Sequence, residues 1–187
     1  MNNITIGLDR DGTILHDIGK PIKFVNEVNP IEGSLEAIKM LRDKNYNVVI
    51  LSNQPGIHTN EISIPDVQNV HQILLEKLGA VGCTNISGIY YSTTSFKKDI
   101  YAKPNIGMFQ RAEQECGLKF KGGAFVGDRI SDLKAALRVG ALPVLVKTGK
   151  GLETEKMLSK SNFRQIKNKT TIVNNLYDFA NALPWNT

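Results

Sequence analysis

Apolar residues in this chain gather in short runs separated by amphipathic stretches. Residues 4–8 and 48–51 are apolar at neighbouring positions, so both faces of an extended backbone would be buried there. Residues 87–91, 124–126 and 142–146 read the same way, and 171–173 reads as a short sixth strand. Between the runs, apolar positions recur at helical spacing. Leu35, Ile38, Met40 and Leu41 form one stripe, with Ser34 as its cap. Residues 64–78, 105–116, 131–139 (capped by Ser131) and 174–183 predict four more helices. The polar stretch 16–30, with prolines at 21 and 30, predicts a loop with a short hairpin at 22–25. Strands alternating with helices imply a parallel sheet covered on both faces, a three-layer α/β/α arrangement. No repeat or linker interrupts it, so residues 1–187 read as one domain.

In such sheets ligands bind beyond the carboxyl ends of the strands, and the polar clusters fall there. Asp9 and Asp11 follow the first strand two residues apart, a spacing that turns both toward one side of an extended chain. Two carboxylates that close are costly without a cation or a proton between them. Gly12 lets the chain turn away. Ser52-Asn53-Gln54 follows the second strand, and Lys103-Pro104 closes the loop after the third. Gly127-Asp128-Arg129-Ile130-Ser131-Asp132 follows the fourth. Three carboxylates (Asp9, Asp11, Asp128), a hydroxyl and an amide (Ser52, Asn53) and the Lys103 ammonium can thus converge on one edge. Carboxylates without cysteine or paired histidine suit Mg²⁺. Hydroxyl, amide and ammonium suit a phosphate. Phosphoryl transfer needs a nucleophile, a proton donor and cations around the equatorial oxygens, and each is present. No glycine-rich nucleotide motif occurs, so a nucleotide cofactor is not indicated.

Composition narrows the picture little. The 187 residues, 41% apolar and 22% charged, are those of an ordinary globular protein. No run approaches the roughly 20 apolar residues of a membrane span, and no basic-then-apolar leader opens the chain. Cys83 and Cys116 lie in no CxxC or Cys/His cluster and read as free thiols of a reducing cytosol. A cytoplasmic protein without a membrane partner is expected. Residues 147–169 carry seven basic and two acidic side chains, a balance equal to the whole net charge of +5. With Phe163 the one aromatic residue between them, they read as a solvated surface, and a nucleic-acid partner is not expected.

Asp9-Arg10-Asp11-Gly12-Thr13, Ser52-Asn53-Gln54, Lys103-Pro104 and Gly127-Asp128-Arg129-Ile130-Ser131-Asp132 occur in the order and spacing of the haloacid dehalogenase superfamily of aspartyl phosphatases, which the chain resembles. The resemblance implies Asp9 as nucleophile and Asp11 as proton donor and then base. It implies Ser52, Asn53 and Lys103 around the phosphate. Mg²⁺ would be held by Asp9, the Asp11 backbone carbonyl and Asp128, with Asp132 orienting the metal site or Lys103. Gly56-Ile57, Gly88-Ile89-Tyr90-Tyr91, Gly107-Met108 and Lys147-Thr148-Gly149-Lys150 extend the likeness to the branch holding heptose bisphosphate and histidinol-phosphate phosphatases.

Two positions depart from that branch. Its cysteine- and histidine-rich zinc loop is Ser92–Ala102 here, without a zinc ligand, so no zinc is expected. Its arginine before the motif lysine is Ala102. The substrate implied is a small phosphorylated molecule, a sugar phosphate first. Histidinol phosphate, another small phosphomonoester and a nucleic-acid 3′-phosphate stay open. Forty residues between Asp11 and Ser52 leave no room for a large lid, so loops 16–30, 56–63 and 92–102 must close the site. The loop at 92–102, lacking its metal staple, is expected to be mobile and the substrate range broad.

Overall fold

The structure is a computed structural model that describes residues 4–94 and 99–184. Six strands, β1 (Thr5–Leu8), β2 (Asn47–Asn53), β3 (Gly88–Ser92), β4 (Ala124–Gly127), β5 (Leu142–Val146) and β6 (Thr171–Val173), form one sheet in the order β3-β2-β1-β4-β5-β6. Every pairing is parallel. Seven helices are present among the described residues: α1 (Ser34–Asp43), α2 (Ile64–Ala80), α3 (Gly107–Cys116), α4 (Ile130–Val139), α5 (Gly151–Leu158), α6 (Arg164–Lys167) and α7 (Leu176–Ala182).

Alternation along each strand divides the core in two. Val48 and Ile50 join Ile6, Leu8 and Val126 under α1, α2 and α7. Val49 and Leu51, one residue out of phase, pack with Phe125 under α3 and α4. The three-layer expectation from the strand and helix pattern therefore holds, and no separate folded lid covers the strand ends among the described residues.

Several local expectations change. Ser34 does not cap α1. Gly33 stands at that position, and the buried Ser34 hydroxyl instead donates to the Ile14 carbonyl at 2.8 Å. Likewise Arg129, not Ser131, precedes α4, and the Asp132 carboxylate accepts the Arg129 N–H at 2.9 Å. At α4 an aspartate three residues on thus makes the capping bond in place of the expected serine. No hairpin forms at 22–25, where Val25–Glu27 is a single 3-10 turn. The loop closes at its base instead, through His16 N–H to Asn29 O and Ile31 N–H to Ile14 O. The basic stretch 147–169 folds as α5 and α6, with Gly151, Thr154 and Leu158 buried. Of the loop 92–102, residues 95–98 lie outside the described residues, and the mobility expected there is not described. No described helix is long and apolar enough to cross a membrane.

Candidate active site

The strand ends bring the acids together. β1 stops at Leu8, but Asp9 N–H still bonds Val126 O at 2.9 Å, so the Asp9 side chain is placed by the sheet itself. Asp128 follows β4, and Asp132 lies in the first turn of α4. One carboxylate oxygen from each of these three buried acids lies within 4.8 Å of the others. Lys103 is the cation among them. Its Nζ donates to Asp9 Oδ1 at 2.6 Å, to Asp132 Oδ1 at 2.9 Å and to Leu51 O at 2.7 Å. Burial works against the ammonium, yet Asp132 and Asp9 outweigh it and hold the Lys103 pKa above its ordinary value. One lysine does not match three acids. Burial pushes the Asp9 carboxyl up to about 7, against the pull of Lys103. Burial and the neighbouring acids push Asp128 up to about 8.

Asp11 is arranged differently. Arg10, fully buried, folds back on it with Nε and Nη2, each 2.8 Å from one carboxylate oxygen. Gln54 Nε2 adds a bond to Oδ2 at 2.9 Å. Burial would raise this carboxyl, but Arg10 and these bonds outweigh it and hold it below the usual range. Each acid thus has its own cation, Arg10 on Asp11 and Lys103 on Asp9, and neither lies between the two. Arg10 in turn rests on a residue outside every motif. His71 of α2 is buried, with Nε2 3.0 Å from Arg10 Nη1. Only the fold could reveal it, because 61 residues separate the two.

The second motif supplies support on two sides. Gln54 Nε2 also donates to Ser52 Oγ at 2.7 Å, which leaves the serine proton to point elsewhere. Asn53, read as a phosphate contact, is engaged by the Lys103 backbone: its Nδ2 donates to Lys103 O at 2.9 Å and its Oδ1 accepts Lys103 N–H at 2.8 Å. The stretch between β5 and α5 also belongs to the site. Thr148 Oγ1 donates to Gly12 O at 2.6 Å, Lys150 N–H to Asp128 Oδ2 at 2.7 Å, and Thr154 Oγ1 to Asp128 O at 2.7 Å. A surface reading of this basic segment missed these anchors, since its charges dominate its composition.

Above the acids opens a cavity of about 630 Å³. Asp9, Asp11, Ser52, Asn53, Lys103 and Asp132 form its floor, and Lys20, Arg129 and Lys150 stand round it with Asp17 and Glu61. The donor set fits a hard divalent cation. Asp128 Oδ1 is buried without a hydrogen-bond partner, with Arg129 Nε 3.9 Å away, which is costly unless something closer meets it. Asp9, Asp11 and Asp128 are the candidate ligands, Asp11 through its backbone. Both Asp132 oxygens are already taken, by Lys103 and by the Arg129 N–H.

Residues 100–179 match the family model described as HAD-hydrolase-like, and residues 22–138 match that of polynucleotide kinase 3 phosphatase. Over 151 residues the chain is 36% identical to a D-glycero-beta-D-manno-heptose-1,7-bisphosphate 7-phosphatase of Pseudomonas putida, covering 79% of this chain and 84% of that protein. The enzyme of the same name from Neisseria meningitidis is 31% identical over 174 residues, 92% of this chain and 90% of that protein. Among solved structures, the D,D-heptose 1,7-bisphosphate phosphatase of B. bronchiseptica, complexed with magnesium and phosphate, superposes with a TM-score of 0.84 at 26% identity. That match covers 95% of this chain and 96% of that one.

Proposed function

This chain belongs to the haloacid dehalogenase-like phosphatases, in the branch of the heptose-1,7-bisphosphate 7-phosphatases, and on that premise we propose that it is a Mg²⁺-dependent D-glycero-D-manno-heptose-1,7-bisphosphate 7-phosphatase. The observation that carries the reading is Lys103 bridging Asp9 and Asp132 at the floor of the cavity, with buried Asp128 within metal-sharing distance of both acids.

Asp9 is the nucleophile. Lys103 holds its Oδ1, so the other oxygen attacks phosphorus while the bond to the sugar oxygen breaks. Asp11 delivers a proton to that oxygen. At rest Arg10 keeps Asp11 ionised; the approach of a dianionic phosphate raises its proton affinity, and Asp11 takes up from solvent the proton it then passes to the leaving oxygen. With the alcohol gone, Asp11 takes a proton from the water that attacks the aspartyl-phosphate, releasing inorganic phosphate. Ser52 and the Lys103 ammonium meet the phosphoryl oxygens. Asn53 positions Lys103 through its backbone. The Asp9 and Asp128 carboxylates and the Asp11 carbonyl would hold Mg²⁺, which when bound would supply positive charge against the acids and the phosphoryl group. Asp132 orients Lys103.

The rest of the substrate faces the mouth. Ala102 is fully buried and brings no charge there. Lys20, Arg129 and Lys150 line the cavity instead, cations suited to a second phosphate. A second reading, hydrolysis of a nucleic-acid 3′-phosphate, is favoured by the polynucleotide kinase 3 phosphatase match over residues 22–138. Against it, no residue lining the cavity is aromatic, so bases find no stacking platform within it. Phosphate release with Mg²⁺ from heptose 1,7-bisphosphate, histidinol phosphate and a 3′-phosphorylated oligonucleotide tests the reading. The heptose is expected to show the highest kcat/KM. A higher value for either competitor overturns the substrate, and no release from any overturns the phosphatase reading.

A further inference from the structure

We infer that His71 is a positioning residue for the proton-transfer step, fixing Asp11 in place through Arg10. The inference rests on the assignment of Asp11 as proton donor.

α2 buries Val67, Val70, Leu74 and Leu78 and, on the same face, one histidine. A buried imidazole is costly unless its nitrogens are met. Its Nε2 is 3.0 Å from Arg10 Nη1. A guanidinium has donors only, so Nε2 accepts, carries no proton, and the ring is neutral. Burial and the adjacent Arg10 charge push the ring pKa down to about 3, which keeps it an acceptor at neutral pH. The Tyr91 ring, 5.4 Å away and tilted by 60°, packs against the imidazole.

Arg10 therefore uses its nitrogens in two directions. Nε and Nη2 grip both Asp11 oxygens, and Nη1 reaches His71. Arg10 and Asp11 are consecutive and ride on the same turn, so their mutual bonds cannot by themselves fix them relative to the sheet. His71 comes from a different element and supplies that fixed point. Gln54, the other group on Asp11, holds only Oδ2.

The test separates proton donation from general integrity. kcat/KM covers the steps through transfer to Asp9. It is measured for the alkyl phosphate of the panel above that is hydrolysed fastest, and for p-nitrophenyl phosphate. An alkoxide leaves poorly without a proton, whereas p-nitrophenolate needs little help. His71→Asn places its amide short of Arg10, near where Nδ1 lies. His71→Gln can carry a carbonyl to where Nε2 lies. The Asn variant is expected to lose roughly tenfold or more on the alkyl phosphate and at most about threefold on the aryl one, with the Gln variant close to wild type on both. His71→Leu, which also lacks the acceptor, carries the same expectation should the Asn variant not fold. Equal losses on both substrates, or Gln behaving like Asn, overturn the inference while leaving the phosphatase reading intact. Wild-type protein inactive on every phosphate overturns that reading and this inference with it.

Discussion

Asn53 and Lys103, fifty residues apart, are joined by a reciprocal pair of hydrogen bonds: Lys103 N–H to Asn53 Oδ1 at 2.8 Å, and Asn53 Nδ2 to Lys103 O at 2.9 Å. The end of β2 thereby fixes the backbone from which the ammonium reaches Asp9. Asn53→Ala frees two backbone groups and is expected to destabilise the fold by about 1–3 kcal/mol. Because Lys103 shifts, kcat should fall by roughly 10²-fold. Urea midpoints and steady-state rates measure both, and a stable variant with unaltered kcat would refute the coupling.

Asp9→Asn removes the proposed nucleophile and a proposed metal ligand together. Activity with Mg²⁺ should drop by at least the roughly 10²–10⁴-fold scale of one positioned catalytic carboxyl. Chelation of Mg²⁺ should abolish wild-type turnover and its readdition restore it. Near-wild-type turnover by the variant would sink the mechanism.

Gly12 sits at φ +86°, and a Cβ there would lie 2.2 Å from Asp128 Oδ2. Gly12→Ala should therefore displace Asp128 as well as strain the turn. Gly19 has a similar φ of +76° but open space around its Cβ position. Gly19→Ala should show only the backbone strain, about 1–2 kcal/mol, with kcat little changed. The contrast in kcat between the two variants is the measurement. Equal kcat would mean that Asp128 is not held against Gly12.

Above about pH 6.5, where the opposing contribution of His71, depressed from 6.5 to about 3, is complete, the metal-free protein should lose stability as pH rises. Asp9 and Asp128, ordinary carboxyls at 3.8 when unfolded, titrate at about 7 and about 8 in the fold. The folded state thus binds their protons more tightly. Their contribution is fully present below about pH 4 and disappears as pH climbs through 7 and 8. Mg²⁺ takes over from those protons, so the rise in melting temperature on adding Mg²⁺ should be larger at pH 8 than at pH 5. An increment independent of pH would contradict the shared site.

No zinc should accompany the protein. The cluster with ligand spacing among the described residues consists of three carboxylates, not the cysteines and histidines of a structural zinc site. Elemental content of protein purified without a histidine tag measures this, and about one zinc per chain would contradict it.

The sequence by itself determined the strands, most helices and the chemistry at the strand ends. Runs such as Val48–Leu51 leave no solvent face, so burial in a parallel sheet is almost their only outcome. Asp9, Ser52, Lys103 and Asp128 were legible because each follows such a run or closes the loop after one, and parallel strands deliver those ends to one edge. Tertiary structure alone decided which partner each side chain takes. Asn53 faces the Lys103 backbone, Asp132 is taken up by Lys103 and the Arg129 N–H, and Lys150 supplies a backbone N–H to Asp128. His71 is the clearest case. Its place on α2 follows from helical periodicity, yet its role comes from Arg10 arriving 61 positions earlier in the chain. Periodicity reports which face of an element is buried, and it carries no information about the polar group on the opposing element that a buried donor or acceptor must meet.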